Sequence, residues 1–428
     1  MTTIRPRDRD TIIQALSAGV VPRLGLQHIQ VGRLSEVKAA VHDLDRIADE
    51  GGAFRVVIGP YGAGKTFFLN LVRSLALEKR LVTMHADLAP DRRLHASGGQ
   101  ARNLYQEAVK NLSTRAKPDG NALQSIVERF IGDTTQAASD AGKKPETVIQ
   151  ERLNVLKDHN GGFDFVTVIL AFCKGHTDGN EQLKSDAVRW LRGEFTTKTD
   201  AMKALGVRTF VDDDTVYDHL KLLSAFVQVA GYKGLLVMFD EMVNIYKQQH
   251  VQSRNQNYEQ ILRILNDVLQ GDVKGMGVYL GGTPEFLLDT RRGCYSYAAL
   301  QSRLAENPFS TEGRVDFSGP VLRLANLTPE DLHVLLENVR RVFASGDEAK
   351  HLVPDDAITA FMIHCKRHIG DAYFQTPRNS VRAFVQLLST LEQNPTTNWS
   401  DLIAKTPVET DTETNSGDGD DELTSIRL

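Results

Sequence analysis

Apolar residues recur along this chain with two alternating periods. Residues 7–17 put Ile12, Ile13 and Leu16 on one side of a short helix, and 34–49 repeat Val37, Val41, Leu44 and Ile47 at helical steps. A short apolar run at 54–58, interrupted by Arg55, predicts a buried strand, and helical spacing resumes over 67–75. The stretch 81–87 alternates and ends in a carboxylate, as a second strand would. From about 102 to 229 only helical patterns occur, at 104–112, 123–131, 147–156, 163–173, 186–191 and 217–229. Two further strand-like runs, 234–241 and 276–280, flank an amphipathic helix at 258–269. Beyond them the punctuation is explicit. Thr328-Pro329-Glu330-Asp331 gives a cap, a proline at the first helical position and early acids for a helix to 343. Pro354-Asp355-Asp356 opens a second helix and Thr376-Pro377-Arg378 a third, to about 391.

Strands alternating with helices predict an α/β fold around a parallel sheet, and a run as apolar as 234–241 belongs to a strand covered on both faces. Residues 102–229 are too many for a connection, so they read as a large helical insertion. The expected division is N-terminal helices and a linker over 1–50, a core over 51–320 carrying the insertion, a C-terminal helical lid over 321–404, and an acidic, disordered tail over 405–428.

Candidate chemistry concentrates where the first strand meets its helix. Gly59-Pro60-Tyr61-Gly62-Ala63-Gly64-Lys65-Thr66 fits G-x-x-x-x-G-K-[ST], and Phe67 continues the stretch. Gly59, Gly62 and Gly64 can take conformations closed to other residues, so that successive N–H groups form an anion cradle at a helix N-terminus. ATP is the expected ligand: Lys65 would reach the β- and γ-phosphates, and the Thr66 hydroxyl would ligate Mg²⁺. The run 234–241 delivers Asp240 and Glu241 to a strand's carboxyl end. Asp240 would hold Mg²⁺ through water and Glu241 would polarise the attacking water, a helix cap being the plainer alternative for the pair. Thr283 follows the strand at 276–280. It is a candidate to contact the γ-phosphate or the attacking water, or else part of a Gly-Gly-Thr-Pro turn. Arg291, Arg292 and Arg303 come next, and Arg303 is the preferred guanidinium for supply across a subunit interface, its alternative being an ordinary solvated or phosphate-contacting arginine.

Composition alters this picture little. Apolar residues make up 41% and charged residues 25%, an ordinary balance for a globular protein. The formal charge of −5 is concentrated in residues 409–428, which hold seven acids and one arginine, leaving the rest at +1. A near-neutral body neither demands nor excludes DNA as a partner. No run approaches the length of a membrane span and residues 1–9 are charged, so a cytoplasmic location is expected. Cys173, Cys294 and Cys365 lack metal spacing and read as reduced, packed thiols.

Several stretches resemble known families. Val31-Gly32-Arg33 with Glu36 resembles the segment that lies against adenine in AAA+ ATPases. The same resemblance makes Thr283 a sensor and makes the three C-terminal helices a lid in which Arg378 is the second sensor. The element order is similar to origin-recognition-type AAA+ proteins, without their winged-helix domain. A closer likeness rests on Ile29-Gln30-Val31-Gly32-Arg33, the Gly59–Leu69 stretch, Arg189-Trp190-Leu191-Arg192-Gly193-Glu194, Gly231-Tyr232-Lys233-Gly234-Leu235-Leu236 and Thr376-Pro377-Arg378. Together these resemble the ATP-binding protein family of bacterial BREX phage-defence systems, BrxD-type and related to BrxC, over roughly 7–395. That resemblance implies antiviral work beside other components, which include a methyltransferase, a helicase or a phosphatase-like protein. A homo-oligomer, formed with ATP, follows from the arginine supplied in trans. Two alternatives stand beside an ATPase: a nucleotide-gated scaffold, and a DNA-loading or helicase-partner ATPase outside BREX. Basic spots that could meet DNA are Arg92-Arg93 with Arg102, Arg291-Arg292, Arg340-Arg341 and Lys366-Arg367-His368.

Overall fold

The computed structural model describes residues 4–309, 316–370 and 377–405, so the Thr376 cap and the acidic tail beyond 405 lie outside the described residues. The chain forms two compact units. One comprises 34–58 and 68–324; the other comprises 1–33, 59–67 and the part from 325 onward.

The first unit is built on five strands, β1 (Gly52–Ile58), β2 (Val82–Asp87), β3 (Leu235–Asp240), β4 (Met276–Gly282) and β5 (Val321–Arg323). They lie in the order β2-β3-β4-β1-β5, every pair parallel. Register runs Ile58 opposite Gly282 and Asp87 opposite Asp240, so the carboxyl ends share one edge. The period of two decides what each face buries. Val57, Leu236, Met238 and Tyr279 face the helix Leu34–Ala48 through Ala40, Leu44 and Ile47. Val56, Val237, Phe239 and Leu280 pack into the larger core shared with the helical insertion. That double cover explains why β3 reads as an unbroken apolar run.

Beneath the first face a buried charge network crosses α/β layers. Arg55 of β1 donates to Asp43 through Nε at 2.6 Å and Nη2 at 3.0 Å, and Tyr279 of β4 donates to the same carboxylate at 2.7 Å. Arg55 also donates to the carbonyls of Phe317 (2.7 Å) and Gly319, which fixes the segment entering β5. Burial pulls the Arg55 guanidinium down, yet Asp43 outweighs it and holds its pKa above the ordinary value.

Residues 102–229 are mostly helical, with isolated antiparallel bridges from Ser113 to Thr83 of β2 and from Thr114 to Lys117, and one helix, Lys198–Leu205, is not announced by periodicity. Its N-cap Thr197 accepts from the Asp200 N–H. Trp190 is fully buried, its indole N–H donating to the Thr209 carbonyl at 2.7 Å. Within the family-like Trp-Leu-Arg-Gly-Glu stretch, then, the tryptophan is a core residue.

The second unit packs the helices Pro6–Ser17, Pro329–Phe343, Asp355–Ile369, Pro377–Gln393 and Trp399–Lys405. Their core includes Ile12, Leu336, Val339, Phe361, Phe384 and Leu388. Thr328 and Asp331 form a reciprocal capping box at the start of Pro329–Phe343. Arg340, one of the basic spots that could meet DNA, is 8% exposed and bound to Asp355 at 2.6 Å and the Val353 carbonyl at 3.1 Å. It is a strut between helices.

Candidate nucleotide-binding site

The loop 59–67 belongs to the second unit. Gly62 (φ 78°) and Gly64 (φ 75°) are left-handed, as a cradle of inward N–H groups requires. Gly59 does not have a positive φ, so its expected special conformation is not needed there. Helix Lys65–Glu78 begins at the loop with no acid in its first turn, so no carboxylate of that turn offsets the positive end of its dipole. Lys65 folds back so that Nζ donates to the Gly59 carbonyl at 2.9 Å and the Pro60 carbonyl at 3.0 Å. Thr66 is exposed at the helix start.

Two further cations of the same unit reach the loop. Arg33, itself left-handed at φ 57°, donates to the carbonyls of Ala63, Gly64 (3.5 Å) and Ala325 (3.3 Å). A Cβ on Gly64 would lie 3.3 Å from Arg33 Nη1, so the guanidinium also closes the space behind the cradle. Arg378 donates through Nε to the Gly19 carbonyl at 2.6 Å and through Nη1 to the Tyr61 hydroxyl at 3.3 Å. Val31 is half-buried against the helical core, and Gly32 is left-handed with Asp331 close behind it. The sequence resemblance includes Arg33 in the adenine-side stretch but does not predict its contact with the loop. No local pattern links residue 33 to a loop thirty positions on.

In the first unit, Asp240 ends β3 at 8% exposure, and its Oδ1 accepts the Glu241 N–H at 2.9 Å. A Cβ on Gly281 would come within 2.2 Å of that oxygen, so glycine is required where β4 passes the carboxylate. Glu241 is exposed with φ 58°, a strained conformation for a residue with a side chain. The following short helix Val243–Tyr246 has Met242 at its N-cap and no side-chain cap hydrogen bond. Thr283 does cap a helix: its hydroxyl accepts from the Phe286 N–H at 3.4 Å. Arg303, exposed on Ala298–Leu304, donates to Asn266 Oδ1 at 2.8 Å and to the Ala299 carbonyl at 3.2 Å.

The loop's chemistry fits a polyphosphate: a cradle with left-handed glycines, a helix N-terminus, its own Lys65, and Arg33 and Arg378 reaching it from elsewhere in the chain. The Thr66 hydroxyl is a hard oxygen donor of the kind Mg²⁺ takes. The three cysteines are free and buried apart, burial pushing the Cys173 thiol up to about 12 and that of Cys365 up to about 11.

A parallel α/β sheet whose first strand continues into such a loop defines a nucleotide-binding protein of the P-loop NTPase type. Comparison with known proteins narrows the class. The chain belongs to the family of BREX system ATP-binding proteins BrxC/D, whose model matches residues 4–407. No curated protein matches it. The family carries a role in the BREX defence system, and none of the described helices is long and apolar enough to cross a membrane.

Proposed function

We propose that the protein binds ATP at Gly59–Phe67 and hydrolyses it with Mg²⁺, and that this cycle drives a conformational or assembly change in a BREX defence complex. The observation that carries the reading is the loop itself, with Gly62 and Gly64 left-handed ahead of Lys65 and Thr66. Val31 and Gly32 stand on the adenine side. Lys65 would leave its carbonyl partners for the β- and γ-phosphates; the Thr66 hydroxyl would ligate a Mg²⁺ ion and Asp240 would hold it through water, the ion supplying charge that offsets the phosphates. Glu241 is the general base, Thr283 and Arg378 report the state of the γ-phosphate, and Arg303 acts on a neighbouring copy in a homo-oligomer. Partners are other components of the defence system.

Two observations favour a second reading, a nucleotide-gated scaffold with little turnover. The Thr283 hydroxyl already caps a helix and the Arg303 guanidinium is tied to Asn266 and Ala299, so both would have to be released for catalysis. Steady-state ATPase assays, fluorescent-ATP binding and mass photometry on wild type, Lys65→Ala and Glu241→Gln separate the two. The ATPase reading expects Lys65→Ala to lose binding, and Glu241→Gln to keep binding, lose turnover by about 10²–10⁴-fold and accumulate as an ATP-dependent oligomer. Equal, near-zero turnover in wild type and Glu241→Gln, with defence retained by the latter, sinks it in favour of the scaffold.

A further inference from the structure

Five arginines of the sheet unit are under-partnered. Arg92 and Arg93 lie on the turn after β2, Arg102 on the helix Gln100–Lys110, Arg254 on the helix Val251–Gln270 that follows β3, and Arg292 beyond the helix Pro284–Leu288 that follows β4. Side-chain bonds stitch these segments together. Asn244 donates to the Leu88 carbonyl at 2.8 Å, while Asn257, three residues past Arg254, exchanges bonds with the His95 backbone at 3.0 and 3.1 Å.

Arg254 and Arg292 converge. Arg254 Nη1 donates to the Gln248 carbonyl at 2.8 Å, and Arg292 Nη2 donates to the same oxygen at 3.3 Å and to the Tyr246 carbonyl at 3.2 Å. Arg254 is only 5% exposed. Like charges sharing one carbonyl repel, and a buried cation normally carries a counterion. Among the described residues, only Arg92 of the five has a carboxylate within ion-pair distance, Asp91 at 3.8 Å. The nearby Asp289 carboxylate is engaged by the N–H groups of Arg291 and Arg292 and by the Tyr246 hydroxyl. Six solvent-excluded side-chain polar atoms here have no hydrogen-bond partner among the described residues: Nε of all five arginines and Gln248 Oε1.

We infer that this face binds the phosphate backbone of a nucleic acid. Guanidinium groups match phosphate oxygens in a planar, two-pronged geometry that ammonium groups lack. Cations distributed over three chain segments suit a polymer with a repeated charge better than a single phosphate, and the half-exposed Arg92, Arg93 and Arg292 would make the contacts. Arg254 raises the potential beneath them without touching the ligand. The inference does not use the nucleotide loop, so it stands or falls separately from the ATPase reading.

The test is fluorescence anisotropy of the full chain with labelled single-stranded DNA, duplex DNA and RNA from about 50 to 200 mM salt, with tripolyphosphate as competitor. Wild type is expected to bind at least one of the three, with affinity falling linearly on a log–log salt plot. Arg92→Glu/Arg93→Glu should weaken binding at least about tenfold and reduce the salt slope by about two phosphate contacts, with fluorescent-ATP binding unchanged. Arg92→Gln/Arg93→Gln guards against misfolding and should move both quantities the same way at an unchanged melting temperature. The inference is overturned if wild type binds none of the three probes at the lowest salt, or if both double variants bind as wild type does. Stoichiometric displacement of the oligonucleotide by tripolyphosphate at micromolar concentration would also overturn it, in favour of a small polyphosphate.

Discussion

Replacing Arg55 by Met removes the centre of the buried network that joins Asp43, Tyr279 and the entry to β5. The Asp43 carboxylate is 1% exposed, and after the change it keeps only the Tyr279 hydroxyl at 2.7 Å, having lost two guanidinium bonds at 2.6 and 3.0 Å. Stranding one partner of a buried pair costs about 3–5 kcal/mol. Removing the tyrosine hydroxyl in Tyr279→Phe takes one hydrogen bond from a charged acceptor, about 2 kcal/mol. Removing both charges in Asp43→Leu/Arg55→Met leaves no stranded ion, so the double variant should be more stable than Arg55→Met alone. At roughly 2 °C per kcal/mol for a unit of this size, Arg55→Met should melt about 6–10 °C below wild type by circular dichroism. Hydrogen exchange should accelerate first over 316–324, because Arg55 also holds the Phe317 and Gly319 carbonyls. A melting point within about 2 °C of wild type, or a double variant whose loss equals the sum of the two singles, would refute the argument that the three groups act as one.

Other consequences follow from the same geometry. Gly64→Ala puts a Cβ at φ 75° and 3.3 Å from Arg33, and should weaken ATP binding at least about tenfold in a fluorescent-nucleotide titration, with Arg33→Lys falling between wild type and Arg33→Ala. Burial holds the pKa of His219 below its ordinary 6.5, so the folded protein keeps the ring neutral while the unfolded chain takes up a proton. Its contribution is present above that value and is lost as pH falls, at up to about 1.4 kcal/mol per pH unit, and His219→Phe should flatten urea-denaturation stability between about pH 7 and 5. With thiols pushed up to about 12 at Cys173 and about 11 at Cys365, and higher still at Cys294, native protein should leave a thiol reagent at pH 8 unreacted, whereas unfolded protein titrates all three.

What the sequence made legible was local. Strands β1 to β4, the loop with its helix, and the capping box at Thr328 each announce themselves within ten residues, through period, glycine spacing or cap chemistry. Strand β5 does not: three residues are too few to carry a period, and Val321–Arg323 is a strand because Val56–Ile58 offers an edge to pair with. Helices Lys198–Leu205 and Trp399–Lys405 are likewise short, and packing decides them more than their own residues do. At the site, residue types pointed to Lys65, Thr66, Asp240 and Glu241, but the positions of Arg33 and Arg378 on the loop depend on contacts 30 and 317 residues away. Nor could charge counting tell that Arg340 is a strut while Arg254 and Arg292 share a carbonyl.

The way the chain is threaded has a practical meaning for genetics. It passes between its two units after Arg33, Ile58, Phe67 and Leu324, so the glycine loop is spliced into the midst of the sheet unit's sequence while folding with the terminal helices. No single cut yields either unit whole. A truncation that removes the C-terminal helices also strips the loop of its packing partners, and one that starts after the loop discards β1. Deletion mapping of this protein would therefore report on folding before it reported on defence, and point substitutions are the instrument that can assign its parts.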